Sequence, residues 1–131
     1  MKKTTQIKMA GTITGLFFVF HLFFYWLFDW KNTLAYLNNE HHALMLCYNI
    51  IFIGVFAMMT FISLFRTVEL YKTGIGIVFL IFSSMLYWFR IIAEFTFFGI
   101  KDALVSVIII ALCAIPAILY ATPLLSIRKK D

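Results

Sequence analysis

Two charged side chains lie four residues apart in a segment that is otherwise apolar. They are Arg90 and Glu94, within residues 75–98. A charged group at the centre of a bilayer costs about 2.5–3.5 kcal/mol on the insertion scale, so each needs a partner, a water-filled cavity or a ligand. A guanidinium binds carboxylates and phosphates, and a carboxyl group can carry a proton. The pair therefore marks the expected position of a site.

Other polar residues fall on the faces of the helices that would surround this pair. Ser83 and Tyr87 precede it at helical spacings, so a helix presents all four side chains on one face. His21, Tyr25 and Asp29 recur every four residues in the first apolar segment. We expect a polar pocket that closes below His21. The predicted ligand-binding or proton-relay residues are Arg90, Glu94, His21, Tyr25, Tyr87 and Asn49.

Two interpretations of the Arg–Glu pair stay open. The pair partly neutralises itself on one helix, so it can simply lock a bundle together by bridging to Tyr25 or His21. Arg before Glu is the less favourable order at this spacing, so a third partner is expected. We favour a functional site, because ionisable groups inside a membrane indicate binding sites or proton paths by default.

The elements that must position these residues are transmembrane helices. The chain has 131 residues, of which 63% are hydrophobic and 13% charged, whereas soluble domains have about 25% charged residues. Four apolar stretches, at about residues 11–30, 43–65, 74–98 and 103–125, each reach the roughly 20 residues that cross a bilayer. The short connections predict one all-α domain, a polytopic membrane protein folded as an antiparallel bundle of four transmembrane helices.

Basic residues predict the orientation of this bundle. One end would carry most of them, and the other only Lys31 and Lys101. The residues at the basic end are Lys2, Lys3, Lys8, Arg66, Lys72, Arg128, Lys129 and Lys130. The positive-inside rule then places both termini in the cytoplasm, and we expect a bacterial inner membrane, with the pocket opening outward. The net charge of +5 is explained by topology, so no nucleic-acid partner is expected.

Local patterns predict details of the helices. Gly11 and Gly15 form a GxxxG pattern that permits close helix contact, although a frayed helix start explains it equally well. Asn38 or Asn39 is expected to cap the second helix, and Asp102 the fourth. Pro116 is expected to kink the fourth helix because it removes one main-chain hydrogen bond.

Several kinds of chemistry lack support in the sequence. There is no HExxH zinc motif and no CxxC pair, and Cys47 and Cys113 are expected to be small packing residues. Glu40, His41 and His42 could bind a metal, but adjacent histidines on a helix point apart, so solvated interfacial residues are the better interpretation. The cofactor, if any, is unknown.

Three hypotheses about function follow. The favoured one is a non-enzymatic membrane protein that binds or moves a small anionic, protonatable or lipid-like ligand. Arg90 would hold the anion, while Glu94 and His21 would carry protons. The second is an accessory subunit of a larger membrane complex, with other membrane subunits or a second copy as partners besides the bilayer. The third is a lipid-modifying enzyme with Glu94 as its base.

Overall fold

Helices account for every secondary-structure element in the computed structural model, which describes residues 2–98 and 103–125. The elements are α1 (Lys3–Leu22), α2 (Phe24–Leu27), α3 (Trp30–Thr33), a 3₁₀ turn (Leu34–Tyr36), α4 (Asn39–Phe65), α5 (Thr67–Lys72), α6 (Gly74–Ala93), a π-helical turn (Glu94–Phe98) and α7 (Ala103–Leu125). Some predictions fall outside the described residues. They are the cap at Asp102 and the contributions of Lys101, Arg128, Lys129 and Lys130 to the charge asymmetry.

Three helical stretches are long and apolar enough to cross a membrane: Asn39–Phe65, Gly74–Phe97 and Leu104–Leu125. Their lengths match the roughly 20 residues that a bilayer requires. The prediction of an all-helical membrane protein is therefore confirmed at this level. The count of four spans is not, because the first apolar segment has a different structure.

The first segment is not one continuous helix over residues 11–30. Helix α1 begins earlier, at Lys3, and ends at Leu22. The N–H of Phe23 donates to the carbonyl three residues back, at Phe20, which tightens the chain out of the α-helix. Asp29 then adopts a left-handed conformation with φ 46°, which aspartate tolerates better than most residues.

Two glycines allow α1 to approach α4 closely. A Cβ atom at Gly11 would lie 2.6 Å from the Cβ of Ser63, and one at Gly15 would lie 3.2 Å from Cγ2 of Thr60. The GxxxG pattern therefore makes a helix–helix contact, as small residues do in membranes. The alternative of a frayed helix start is wrong, because α1 is helical for two turns before Gly11.

Helix α1 also packs against α7, and α7 packs against α6, so α1 lies between the other long helices.

Side-chain caps stabilise the starts of α4 and α6. The side chain of Asn38 accepts a hydrogen bond from the N–H of His41 at the start of α4, which confirms that predicted cap. Thr73 does the same for Gly76 at the start of α6. Pro116 lies fully buried inside α7.

Candidate functional site

The carboxylate of Glu94 is held from two helices at once. Its Oε2 accepts a hydrogen bond from Nη1 of Arg90 on α6 at 2.8 Å, and its Oε1 accepts one from Oγ of Ser106 on α7 at 2.8 Å. Glu94 is only 3% exposed. A buried carboxylate needs such charge-assisted bonds to offset its desolvation. The carboxylate thus ties α6 to α7 just where the π-helical turn begins.

Arg90 differs from its partner in exposure. The side chain of Arg90 is 39% exposed, whereas that of Glu94 is 4% exposed. A guanidinium has five N–H donors, so one Arg side chain can bind Glu94 and an anion together. The predicted third partner of the pair exists, and it is Ser106 on α7. Ser106 lies 12 residues from Glu94 in the chain, so only the packing of α7 on α6 could bring the two together.

His21 lies beside Asn49, but the contact between them involves the main chain. Nδ2 of Asn49 donates to the carbonyl oxygen of His21 at 3.1 Å, in the last turn of α1, where carbonyls lose their helical partners. Nδ1 of His21 bonds the carbonyl of Phe17 at 2.9 Å. A carbonyl only accepts, so Nδ1 carries the proton and Nε2 is the acceptor of the neutral ring. The ring stacks on Phe24 at 4.3 Å.

Tyr25 is one predicted site residue for which the structure shows no contact with Arg90 or Glu94 among the described residues. It lies in the four-residue helix α2, is 38% exposed, and its ring contacts Trp26. The expected shared face with His21 and Asp29 required a continuous helix. Because the helix breaks at Phe23, that spacing no longer places the three side chains on one face. Asp29 instead accepts a hydrogen bond from Asn32 at 2.8 Å.

Tyr87 belongs to a second polar cluster, separate from Glu94. Its hydroxyl donates to Oγ1 of Thr14 at 2.8 Å. Thr14 also bonds the hydroxyl of Tyr120 at 3.1 Å, and Tyr120 bonds Oγ of Ser63 at 2.9 Å. We call these four residues the hydroxyl cluster. One member comes from each of α1, α4, α6 and α7, so the cluster joins all four long helices.

The supply of protons fixes the direction of the bonds in this cluster. Thr14 donates its single hydroxyl proton to the carbonyl of Ala10 at 2.9 Å. Tyr87 and Tyr120 must therefore both donate to Thr14, and Ser63 must donate to Tyr120. Every hydroxyl is used, and the chain of donors ends at a main-chain carbonyl. This arrangement suits a structural link between helices rather than a path that carries protons through the protein.

Sequence reasoning missed most of this cluster. Tyr87 was predicted as a site residue, but Thr14, Ser63 and Tyr120 were not. All four members are buried, with exposures between 0% and 2%. The helical phase could have found one link, since Thr14 follows Ala10 and Gly11 on the face of α1 that contacts other helices. The partner across the bundle, 106 residues away, has no signal in the local sequence.

Two concave regions that the structure describes lie far from Arg90. Both contain Thr4 and Lys8, at the basic end of α1. Arg90 is 14 residues beyond Gly76 along α6, or about 21 Å at 1.5 Å per residue, towards the other end. The expected outward pocket is not one of these two concave regions.

The cysteines and histidines do not form a further centre. Cys47 is exposed on α4 and Cys113 is buried in α7, and both are free thiols. Within residues 2–98 and 103–125, no three His, Cys, Asp or Glu side chains lie close enough together to hold a metal ion.

Comparisons with known protein families, with curated proteins and with solved structures find no match. The function must therefore be argued from these side chains themselves.

Proposed function

We propose that the protein is a small non-enzymatic membrane protein that binds or moves an anionic, protonatable or lipid-like ligand at Arg90. The observation that carries the proposal is the difference in exposure within one ion pair. Glu94 is buried and bonded on both oxygens, while the side chain of Arg90 is 39% exposed. A carboxylate fixed in this way orients the guanidinium, whose planar fork matches a carboxylate or phosphate group.

Neighbouring residues would serve the apolar part of such a ligand. Phe89 and Phe97, which flank the pair along the chain, are each more than half exposed. In a membrane these side chains meet lipid tails, so a ligand with an acidic head and an apolar chain fits the surface better than a small hydrophilic anion. His21 could exchange a proton at Nε2, because its Nδ1 is already engaged by Phe17.

The same arrangement argues against the enzyme hypothesis. A general base needs a carboxylate that can take a proton from the substrate. Both oxygens of Glu94 accept short bonds, and one of these bonds is ionic. Protonating Glu94 would disrupt that ion pair, so its carboxylate is better suited to positioning Arg90 than to proton abstraction.

The proposal includes four spans, both termini in the cytoplasm, and a bacterial inner membrane. The positions of the basic residues in the described part of the chain support this topology. Nζ of Lys3 lies 5.7 Å from the centre of the Tyr71 ring, and α1 contacts α5, so the basic residues of these two helices share one end of the bundle. Lys31 lies beyond the other end of α1. Under the positive-inside rule Arg90 then faces the outer half of the membrane.

Binding of a spin-labelled long-chain carboxylate to the protein in phosphatidylcholine vesicles tests the proposal. We expect Arg90→Met to weaken binding at least about tenfold, because a hydrogen bond to a charged group contributes about 1.5–3 kcal/mol. Glu94→Gln should also lose binding of the carboxylate ligand, because Nη1 of Arg90 loses its ion pair with Glu94. Lys31→Met is the matched control, because it removes an exposed cation that has no role in the site.

Unchanged binding in both Arg90→Met and Glu94→Gln would contradict the proposal.

The alternative of an accessory subunit has one specific observation in its favour. Only 11% of the apolar window of α4 is buried, against 33% and 28% for the other two candidate spans. Under that alternative, native purification would recover the chain with a further membrane subunit, and the variants would alter that association instead.

A further inference from the structure

A groove lies at the basic end of the bundle, between α1 and the junction of α4 with α5. We call it the Lys8 groove, and its volume is about 380 Å³. Thr4 and Lys8 of α1 contribute to its lining, and the other lining residues come from the α4–α5 junction: Leu64, Phe65, Arg66, Thr67, Val68 and Glu69. Cationic side chains beside the exposed apolar side chains of Phe65 and Val68 fit an amphipathic molecule with an anionic head.

The residues that line the Lys8 groove carry a net positive charge. Lys8 is exposed, and Arg66 pairs with Glu69 at 2.7 Å, with both side chains about 60% exposed. Exposed ion pairs are weak because water and salt screen them. A phosphate can therefore bind Arg66 without first displacing a strong interaction. With Lys8 added, the groove carries one cation more than it carries anions.

A second groove continues from the first along α1. It has a volume of about 500 Å³ and shares Thr4 and Lys8 with the Lys8 groove. Beyond Lys8 it is lined by Met9, Thr12 and Ile13, which lie within about one and a half turns further along the helix. Thr12 bonds the carbonyl of Lys8, so its hydroxyl adds little polarity. This continuation points from the charged end towards the apolar part of α1.

From this geometry we infer that the Lys8 groove binds the phosphate headgroup of an anionic phospholipid, with one acyl chain along the Met9–Ile13 face of α1. Basic pockets between helices on the cytoplasmic side are known sites for such headgroups. The inference goes beyond the proposed ligand at Arg90, which lies at the other end of the bundle. It depends on α1 meeting the membrane interface near Lys8, where its basic first turns give way to apolar residues.

Native mass spectrometry of the purified full chain in detergent, titrated with phosphatidylglycerol, tests the inference because it resolves the binding of individual lipids. We expect one lipid to bind ahead of the rest. Lys8→Gln and Arg66→Gln should each weaken this first binding about fivefold, the effect of one cation near a membrane surface. Glu69→Gln should strengthen it, because Arg66 loses its competing carboxylate.

The matched control is Lys72→Gln. Lys72 is an exposed cation on α5, outside the residues that line the groove, so this variant should leave the first binding unchanged. An equal loss with Lys72→Gln would overturn the inference in favour of diffuse attraction to the whole basic end. Equal binding of phosphatidylcholine would overturn it too, and full competition by inorganic phosphate would show a site for free phosphate instead. Arg90→Met should have no effect, which separates this test from that of the outer site.

Discussion

Single residues show how this chain places polar groups inside an apolar protein. Glu94 is bonded by Arg90 and Ser106, and each hydroxyl of the hydroxyl cluster has a partner. An unpaired polar group would cost several kcal/mol in hydrocarbon. Ser83, Thr60 and Asn49 are exceptions, because Oγ of Ser83, Oγ1 of Thr60 and Oδ1 of Asn49 are buried without a hydrogen-bond partner in the described part of the chain.

The hydroxyl cluster predicts a sharp contrast between two threonines on α1. Thr14→Val should lower the free energy of unfolding by about 2 kcal/mol, because the buried hydroxyls of Tyr87 and Tyr120 lose their acceptor. Thr12→Val is the control, since Thr12 is exposed and bonds only its own helix; we expect a change within about 0.5 kcal/mol. Titration with SDS, followed by circular dichroism, measures both. Equal effects would mean that the cluster contributes nothing.

The sequence predicted the Arg–Glu pair and polar residues around it, but not the contacts that these residues make. Charge inside an apolar run is a local signal, so Arg90 and Glu94 could be found by inspection. The link from Glu94 to Ser106 and the link from Asn49 to the carbonyl of His21 depend on how helices pack. Packing is a property of distant parts of the chain, and helical periodicity within one segment cannot give it. Tyr25 was misplaced for the same reason, because periodicity assumes that the helix continues.

At the scale of the helices, close approach is set by glycines. Gly11 and Gly15 bring α1 against α4, and Gly76 brings the start of α6 against α5. A Cβ at Gly76 would collide with the main chain of Leu70 and lie 2.6 Å from the carbonyl oxygen of Glu69. Main-chain atoms cannot move aside as a flexible side chain can, so this turn tolerates only glycine.

Gly76→Ala should therefore destabilise the protein by about 1–3 kcal/mol, the usual cost of overpacking. Gly54→Ala is the control, because a Cβ there would meet nothing within 4 Å and alanine favours helix over glycine; we expect no loss of stability, or a small gain. The same SDS titration compares the two. A stable Gly76→Ala variant would show that α5 does not pack on α6 as described.

The whole molecule raises the question of how the first segment meets the membrane. Length and composition identify three candidate spans, and these were predicted from apolar runs alone. The first segment also looked apolar over residues 11–30, but its helix starts among the basic residues and breaks at Phe23. Even so, α1 lies between α4 and α7 and supplies Thr14 to the hydroxyl cluster. From these contacts we infer that α1 lies at the same depth in the membrane as its neighbours.

We therefore expect the first segment to cross the membrane, with Thr5 inside and Asn32 outside. In a Cys47→Ala background, Asn32→Cys should react with a membrane-impermeant maleimide in intact bacterial cells. Thr5→Cys and Val68→Cys should react only after the membrane is opened, because both lie at the basic end that the positive-inside rule assigns to the cytoplasm. Labelling of Thr5→Cys and Asn32→Cys from one side would mean that α1 does not span. Arg90 would still lie at the end opposite Lys8, but the four-span topology would have to be abandoned.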